Sequence, residues 1–382
     1  MKNKISIGIW MCLLWLIIGN CVDEFDAHLS DNNKSLLVVE GNIVSDSAVV
    51  FSLSRSFSLN VEGLPPDYNL VNAEVSVVGN DGSCFNGVAL GQGKYQVVIG
   101  TLSKDIGYSL KIVYDGDTYT SEPQQPIVTE GIDNVSFEQP ESYGDIHIKI
   151  ATHSQEAAYY MWTYEEDWEV RAEYSTVWFY DPLTGNVILY SKPPYALGWC
   201  HASSPETLVG TTGSSIGNRL ENKRLYSIAA SDHRVSCYYS SLIQQRKLSK
   251  GEYEYYQEKV KLNEGMGGLF TPQPSELPTN IVCSDPDKQV IGYVGVNMNV
   301  ATQRLYISNK DIQYDNQLNC RLLEGEEVLK YTDDELYAMG FRLVSWSGFG
   351  REFCYWAPKE CTDVRELGAT LEKPSFWPDE IN

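Results

Sequence analysis

The sequence predicts a mostly β fold: an N-terminal immunoglobulin-like antiparallel sandwich followed by a larger antiparallel β domain with one helical insertion. Three observations lead there. Short runs of alternating apolar and polar residues recur along the chain, which is the period of a strand with one buried face. Turn signals separate them, Asp115-Gly116 being the strongest. The 25 Tyr and 9 Trp among 382 residues suit half-buried pleated surfaces better than helices.

The chain starts with a different kind of segment. Met1-Lys2-Asn3-Lys4 is a positive head, Ile5 to Gly19 is apolar, and Asn20-Cys21 leads into the acidic Val22-Asp23-Glu24-Phe25-Asp26. A positive head, an apolar core too short to span a bilayer and an abrupt polar switch predict a signal peptide over residues 1–20. Ile17-Ile18-Gly19-Asn20-Cys21 resembles a lipobox, so Cys21 is the expected lipidation site, and two or more acyl chains there make a stable membrane anchor. Residues 21–34 then read as anchor and acidic tether. The acidic residues after Cys21 resemble the surface-export signal of Bacteroidota lipoproteins, and that resemblance implies a lipid-anchored address in the outer membrane, at the cell surface.

The sandwich is expected over residues 35–126. Leu37 to Val44 opens it, and Phe51, Leu53 and Phe57 alternate with serines. Val75 and Val77 precede an Asn80-Asp81-Gly82 turn, and Tyr95 and Val97 follow Gly91-Gln92-Gly93. Tyr108, Leu110, Ile112 and Tyr114 alternate up to Asp115-Gly116, from which Thr118-Tyr119-Thr120 returns. About seven strands in some 90 residues is an immunoglobulin-like size. Pro123-Gln124-Gln125-Pro126 marks the boundary.

The larger domain is expected over residues 127–382. Ile132 to Phe137 and Ile146 to Ile150 read as strands. In the run from Tyr159 to Trp168, a strand places Trp162, Tyr164, Glu166 and Trp168 on one face. Ser249 and Glu252 have capping-box spacing before Tyr253 to Leu262, which predicts a helix around 250–264 ended by Gly265. Thr332-Asp333-Asp334-Glu335 predicts a second, shorter helix ending near Gly340. Ile281 to Ile307 returns to strands.

Charge and cysteine content narrow the functional classes. The net charge of −22, two units more negative once Lys2 and Lys4 leave, repels nucleic acid and anionic headgroups. Of nine Cys, Cys12 leaves with the signal and Cys21 takes the lipid. Cys84, Cys200, Cys237, Cys283, Cys320, Cys354 and Cys361 remain, with no Cys-x-x-Cys pair to suggest a zinc ribbon or redox motif. An oxidising compartment permits three disulfides among them, and Cys354 with Cys361, seven residues apart, is the candidate local pair.

Motifs for catalysis are weak. Gly213-Ser214-Ser215-Ile216-Gly217 matches Gly-x-Ser-x-Gly, yet no apolar helical period follows it, as a nucleophile elbow requires. His147 and His153 share strand parity but stand roughly 20 Å apart on a straight strand, and Cys200 and His201 point to opposite faces. Asp285-Pro286-Asp287 and Asp333-Asp334-Glu335 follow no EF-hand pattern. No catalytic residue, metal or cofactor is therefore assigned. Glu165, Glu166, Asp167, Glu169 and Glu173 lie near Trp162, Trp168 and Trp178, and a glycosidase needs two carboxyls beside a sugar platform; a solvated acidic face beside core rings gives the same letters. Trp162, Tyr164, Trp168, Trp178, Tyr180, Tyr190, Tyr195 and Trp199 fall within forty residues. Such rings serve a core or a contact surface, and Trp168, Trp178 and Trp199 are the candidate ligand contacts.

An ordered series of short motifs resembles the Bacteroidota lipoprotein family known as domain of unknown function 4249. It runs through Leu37-Val38-Val39-Glu40-Gly41, Ser54-Arg55-Ser56-Phe57 and Tyr159-Tyr160-Met161-Trp162 with Trp168. It continues through Gly267-Gly268-Leu269-Phe270-Thr271-Pro272-Gln273-Pro274, Asn280-Ile281, Val290 to Val296 and the tail from Cys361 to Trp377. The family tail reads Cys-x-Asp-Cys-Arg; here Val364 replaces the second Cys, which implies another partner for Cys361. The resemblance implies an envelope lipoprotein that accompanies a TonB-dependent outer-membrane transporter. The expected function is a non-catalytic accessory for ligand capture or docking there, with a glycan-active hydrolase, and further a structural envelope protein or adhesin, as the alternatives.

Overall fold

A computed structural model describes residues 36–56, 68–204, 206–264, 277–316 and 320–379. The expected signal 1–20, lipidated Cys21, tether 21–34, Phe57, the Gly265 stop and the Gly267–Pro274 motif lie outside the described residues. The fold is mostly β, as the alternation predicts. Eight strands come first: β1 (Leu37–Glu40), β2 (Ile43–Val44), β3 (Ala48–Arg55), β4 (Glu74–Gly79), β5 (Cys84–Gly91), β6 (Lys94–Val98), β7 (Tyr108–Tyr114) and β8 (Asp117–Ser121). Next come β9 (Ile132–Glu138), β10 (Ile146–His153), β11 (Tyr159–Arg171), β12 (Trp178–Asp181), β13 (Asn186–Leu189), β14 (Leu197–Ser203), β15 (Leu208–Thr211), β16 (Arg219–Ile228), β17 (Tyr238–Leu248) and helix α1 (Lys250–Glu264). The last stretch holds β18 (Ile281–Cys283), β19 (Val290–Ile291), β20 (Val296–Asn297), β21 (Ala301–Ser308), α2 (Glu326–Leu329), α3 (Asp333–Ala338), β22 (Phe341–Ser345) and β23 (Tyr355–Pro358).

Turn chemistry sets the first sandwich. Asp115 and Gly116 both adopt left-handed backbone (φ 51° and 83°), the geometry of a two-residue hairpin turn between β7 and β8. The sheet order is β18-β8-β7-β4-β5-β6-β3-β1-β19. Strand β5 joins the two layers, its first residues pairing with β4 and Gly87 to Gly91 pairing with β6. Alternate residues Phe51, Leu53, Val75, Val77, Tyr95, Val97, Leu110 and Ile112 fill the space between the layers. Two of the nine strands come from far down the chain: β18 pairs with β8, and β19 pairs with β1 in parallel. The sheet expected to end at residue 126 is thus completed by residues 281–291, and Leu36–Asn382 forms one contact unit.

A second sandwich packs a three-stranded sheet, β16-β10-β9, against one in which β14 and β15 share an edge of β11, followed by β17 and β21. Its core draws Ile146, Ile148 and Ile150 from one sheet and Tyr160, Trp162, Tyr239 and Ile243 from the other. Strand β11 takes the predicted register, with Trp162, Tyr164, Glu166 and Trp168 on the buried face. Trp162 is fully buried, and its indole N–H donates to Gln245 Oε1 at 2.8 Å.

Helix α1 starts where Ser249 predicts, its hydroxyl accepting from Glu252 N at 3.2 Å. The Glu252 carboxylate does more than cap. It accepts from Arg246 Nη1 at 2.6 Å, and both side chains are buried. Gly295 makes room for it, since a Cβ there would lie 2.4 Å from Glu252 Oε2. Helix α3 has the full reciprocal box between Thr332 and Glu335.

The chain from 321 to 358 forms a small lobe around Val328, Leu336, Leu343, Cys354 and Trp356, joined by Tyr180 of β12. Its base is closed by a disulfide between Cys320 and Cys361. This corrects the expected Cys354–Cys361 pair: Cys354 is a buried free thiol within the lobe core. Cys361 reaches back across 41 residues because Tyr174 holds both ends together, its N–H donating to Cys361 O and its hydroxyl to Cys320 O.

Candidate functional site: an aromatic cleft

An open cleft, whose roughly 390 Å³ of empty space includes bulk solvent, lies where the β12–β13 hairpin meets the lobe. Thr176, Trp178, Phe179, Tyr180, Tyr190, Pro194 and Tyr195 form one side; Arg342, Leu343, Thr362 and Asp363 form the other. The rings are fixed by their neighbours. Tyr180 is the buried floor, its hydroxyl donating to Asp334 Oδ1 at 2.6 Å and its ring edge-on to Trp356. Asp334 raises the Tyr180 pKa to about 12, with burial adding to the effect. Trp178 packs on Trp346 at 5.7 Å, and Phe179 meets Tyr190 edge to face.

The charged lining is already paired. Asp363 accepts from Arg365 Nε and Nη2, at 3.0 and 2.6 Å, and the same guanidinium covers one face of Tyr195 at 3.4 Å. Arg342 Nη1 donates to the carbonyls of Phe341 and Tyr337, and its Nη2 lies 3.7 Å from Glu366. The disulfide braces the arrangement: Thr362 and Asp363 directly follow Cys361, while Arg342 and Leu343 lie inside the loop it closes.

Of the three ligand-contact tryptophans expected, Trp178 alone lines this cleft. Trp168 and Trp199 are each 8% exposed and lie on opposite faces of the β11–β14 pair. Trp168 belongs to the sandwich core, and Trp199 lies under the tail that bridges to it at Thr370. The sequence shows three rings of one type; only the covering elements decide which stay open. Arg342, Thr362 and Asp363 were not singled out, because their approach to the hairpin depends on the lobe.

The carboxylates of β11 are spent inside the sheet. Glu166 accepts from Arg234 Nη1 through both oxygens, at 2.7 and 2.8 Å, and from the Tyr239 hydroxyl at 2.6 Å. Tyr226 extends this buried network to Ser241. Desolvation and Glu166 together push the Tyr239 phenol well above its ordinary range. On the opposite face Asp167 lies between His201 Nδ1, at 2.8 Å, and Arg304 Nη1, at 3.0 Å. Glu169 pairs with Arg171. None of these carboxylates lines the cleft.

The other motifs resolve locally. Gly213 to Gly217 lies in the connection from β15 to β16, with Ile216 fully exposed and no helix able to form an elbow. His147 and His153 have separate partners, Ser227 and Asp133. Asp285 accepts from the Asp287 N–H, and Glu335 caps α3. Among the described residues no group of three or more His, Cys, Asp or Glu is placed to hold a metal ion.

Residues 22–304 match the family described as Domain of unknown function (DUF4249). The chain belongs to that family. The DUF4249 match contains the hairpin wall of the cleft and stops before Arg342, Leu343, Thr362 and Asp363. No curated protein matches the chain. Two solved structures show slight likeness. Trypsin-activated alpha-2-macroglobulin from Escherichia coli has 10% identity and TM-score 0.19, over 58% of this chain and 15% of that one. A DUF4785 family protein from Legionella pneumophila has 9% identity and TM-score 0.15, over 50% of this chain and 55% of that one. This chain therefore spans about half or less of either.

Proposed function

We propose that this DUF4249 protein is a non-catalytic ligand-capture lipoprotein, anchored through Cys21 at the outer-membrane surface and docked on a TonB-dependent transporter. The observation that carries the capture role is the cleft itself: half-buried rings, braced by Cys320–Cys361, with Asp363 as the one carboxylate in its lining. Glycoside hydrolysis takes two carboxyls on either side of the bond, whereas Asp363 is already committed to Arg365. A pre-formed aromatic site with satisfied polar groups favours holding a ligand over transforming it.

The membrane address rests on residues 1–26, and the transporter on the family resemblance. Among the described residues no helix is long and apolar enough to cross a membrane. The test is gentle solubilisation of the intact lipoprotein from its native membrane, followed by mass spectrometry. A stoichiometric barrel partner supports docking, and a solitary peak in mild detergent overturns it. Cys21→Ser should move the protein from the membrane pellet to the soluble fraction; unchanged pelleting would refute the anchor.

A further inference from the structure

Resting on the reading of the cleft as the ligand site, we propose that its ligand is an uncharged sugar ring, held by stacking on Trp178 and Tyr190. Three properties of the lining point to this class.

The first is electrical. The charged side chains of the cleft are already engaged: Asp363 is paired with Arg365, while Arg342 donates to two carbonyls and lies 3.7 Å from Glu366, which Lys359 also holds. An ionic ligand would have to break a pair that already exists, and an anion would also approach a chain of net charge −22.

The second concerns the backbone. Among the described residues strand β12 pairs only with β13, and β22 only with β23, so an edge of each is open to an added strand. Those edges are capped by side chains. Thr176 Oγ1 accepts from Trp178 N at 2.9 Å and donates to Val344 O at 2.8 Å, and Arg342 Nη1 donates to Phe341 O at 2.9 Å. An extended peptide adding to either edge would find these groups taken.

The third is what remains once ions and edges are spent. Trp178, Phe179 and Tyr190 offer ring surface, and Arg365 leaves Tyr195 only its other face. Arg342 keeps N–H groups beyond the Nη1 pair and Tyr190 carries a hydroxyl, whereas the buried Thr362 hydroxyl already donates to Lys359 O at 3.1 Å. Ring faces with a few neutral-type hydrogen bonds match a pyranose, whose C–H face is apolar and whose rim is hydroxylated.

The full-length lipoprotein in mild detergent would be applied to a microarray of neutral, uronic and sialylated glycans, and to a library of Phe-, Tyr- and Trp-containing peptides. The best binder would then be titrated by intrinsic tryptophan fluorescence. The expected result is binding to neutral glycans, weakened at least tenfold by both Trp178→Ala and Tyr190→Ala. Leu183→Ala, at the exposed hairpin tip, should leave it unchanged. Tyr190→Ala keeps the test valid if Trp178→Ala unfolds the lobe, and circular dichroism identifies that case. Peptide or acidic-glycan binding that needs Trp178 would overturn the sugar class and leave the cleft as the ligand site. Neutral-glycan binding indifferent to both variants would overturn the site itself. Silence on both panels would overturn the sugar and the capture reading together.

Discussion

Thr176 and Val344 lie 168 residues apart, and the Thr176 hydroxyl donates to the Val344 carbonyl oxygen at 2.8 Å. The Thr176 hydroxyl oxygen in turn accepts from the Trp178 N–H, so one side chain stitches two hairpins that share no strand pairing. Thr176→Val keeps the shape and removes the stitch. The expected cost is about 1–2 kcal/mol, the order of a part-buried polar group losing its partner. Hydrogen exchange should rise in residues 176–181 and 341–345 together. Faster exchange in only one hairpin would show that the two are not coupled through Thr176.

The disulfide is the second lever on the cleft. In the chain-entropy picture a loop of this length contributes about 4 kcal/mol, so Cys320→Ser with Cys361→Ser should lower unfolding stability by that order. Peptide mapping of unreduced, alkylated protein should recover Cys354 alkylated and Cys320 joined to Cys361. A Cys354–Cys361 peptide would reverse the assignment.

Arg246 and Glu252 form a buried ion pair that ties the end of β17 to helix α1. Glu252→Ala strands the guanidinium without its counter-charge, for an expected loss of about 3–5 kcal/mol. Gly295→Ala attacks the same place by crowding the carboxylate and should cost about 1–3 kcal/mol. Chemical denaturation of the two single variants and the double variant would read the coupling. Strict additivity would argue that the glycine serves another purpose.

Glu130 gives the fold an acid-sensitive contact. Burial alone would raise its carboxyl pKa, but Lys247 Nζ at 2.6 Å and the Tyr160 hydroxyl at 2.8 Å pull it below the ordinary value. A lowered folded-state pKa means that stabilisation is full above the unfolded value and is lost as pH falls through the folded one. Both partners of the ion pair are partly exposed, so the contribution is held to about 1 kcal/mol. The stability gap between wild type and Glu130→Gln should therefore be largest near neutrality and narrow as the pH falls below the ordinary carboxylate value of about 4.3. A gap that widens rather than narrows as the pH is lowered from neutrality would contradict the assignment.

The parts of the fold that depend on short-range chemistry were readable from the sequence. Asp115-Gly116 turns as its residue types require, Thr332 and Glu335 cap each other, and the parity of Trp162, Tyr164, Glu166 and Trp168 survives in β11. The features that escaped depend on what arrives from elsewhere. Glu166 and Asp167 look like free acids until Arg234 and Arg304 are brought beside them. Trp168 and Trp178 have equal claims as letters and differ only in what covers them. Cys354 is closer in sequence to Cys361 than Cys320 is, but it points into the lobe core.

Strands β18 and β19 complete the first sheet from the far end of the chain, and this orders events in time. A ribosome delivers β1 and β8 long before their partners exist, so both strands carry open edges through synthesis and any export step. Open edges invite wrong pairing until residues 281–291 emerge. Of the two sandwiches, the N-terminal one is therefore begun first yet cannot be finished until residues 281–291 are made.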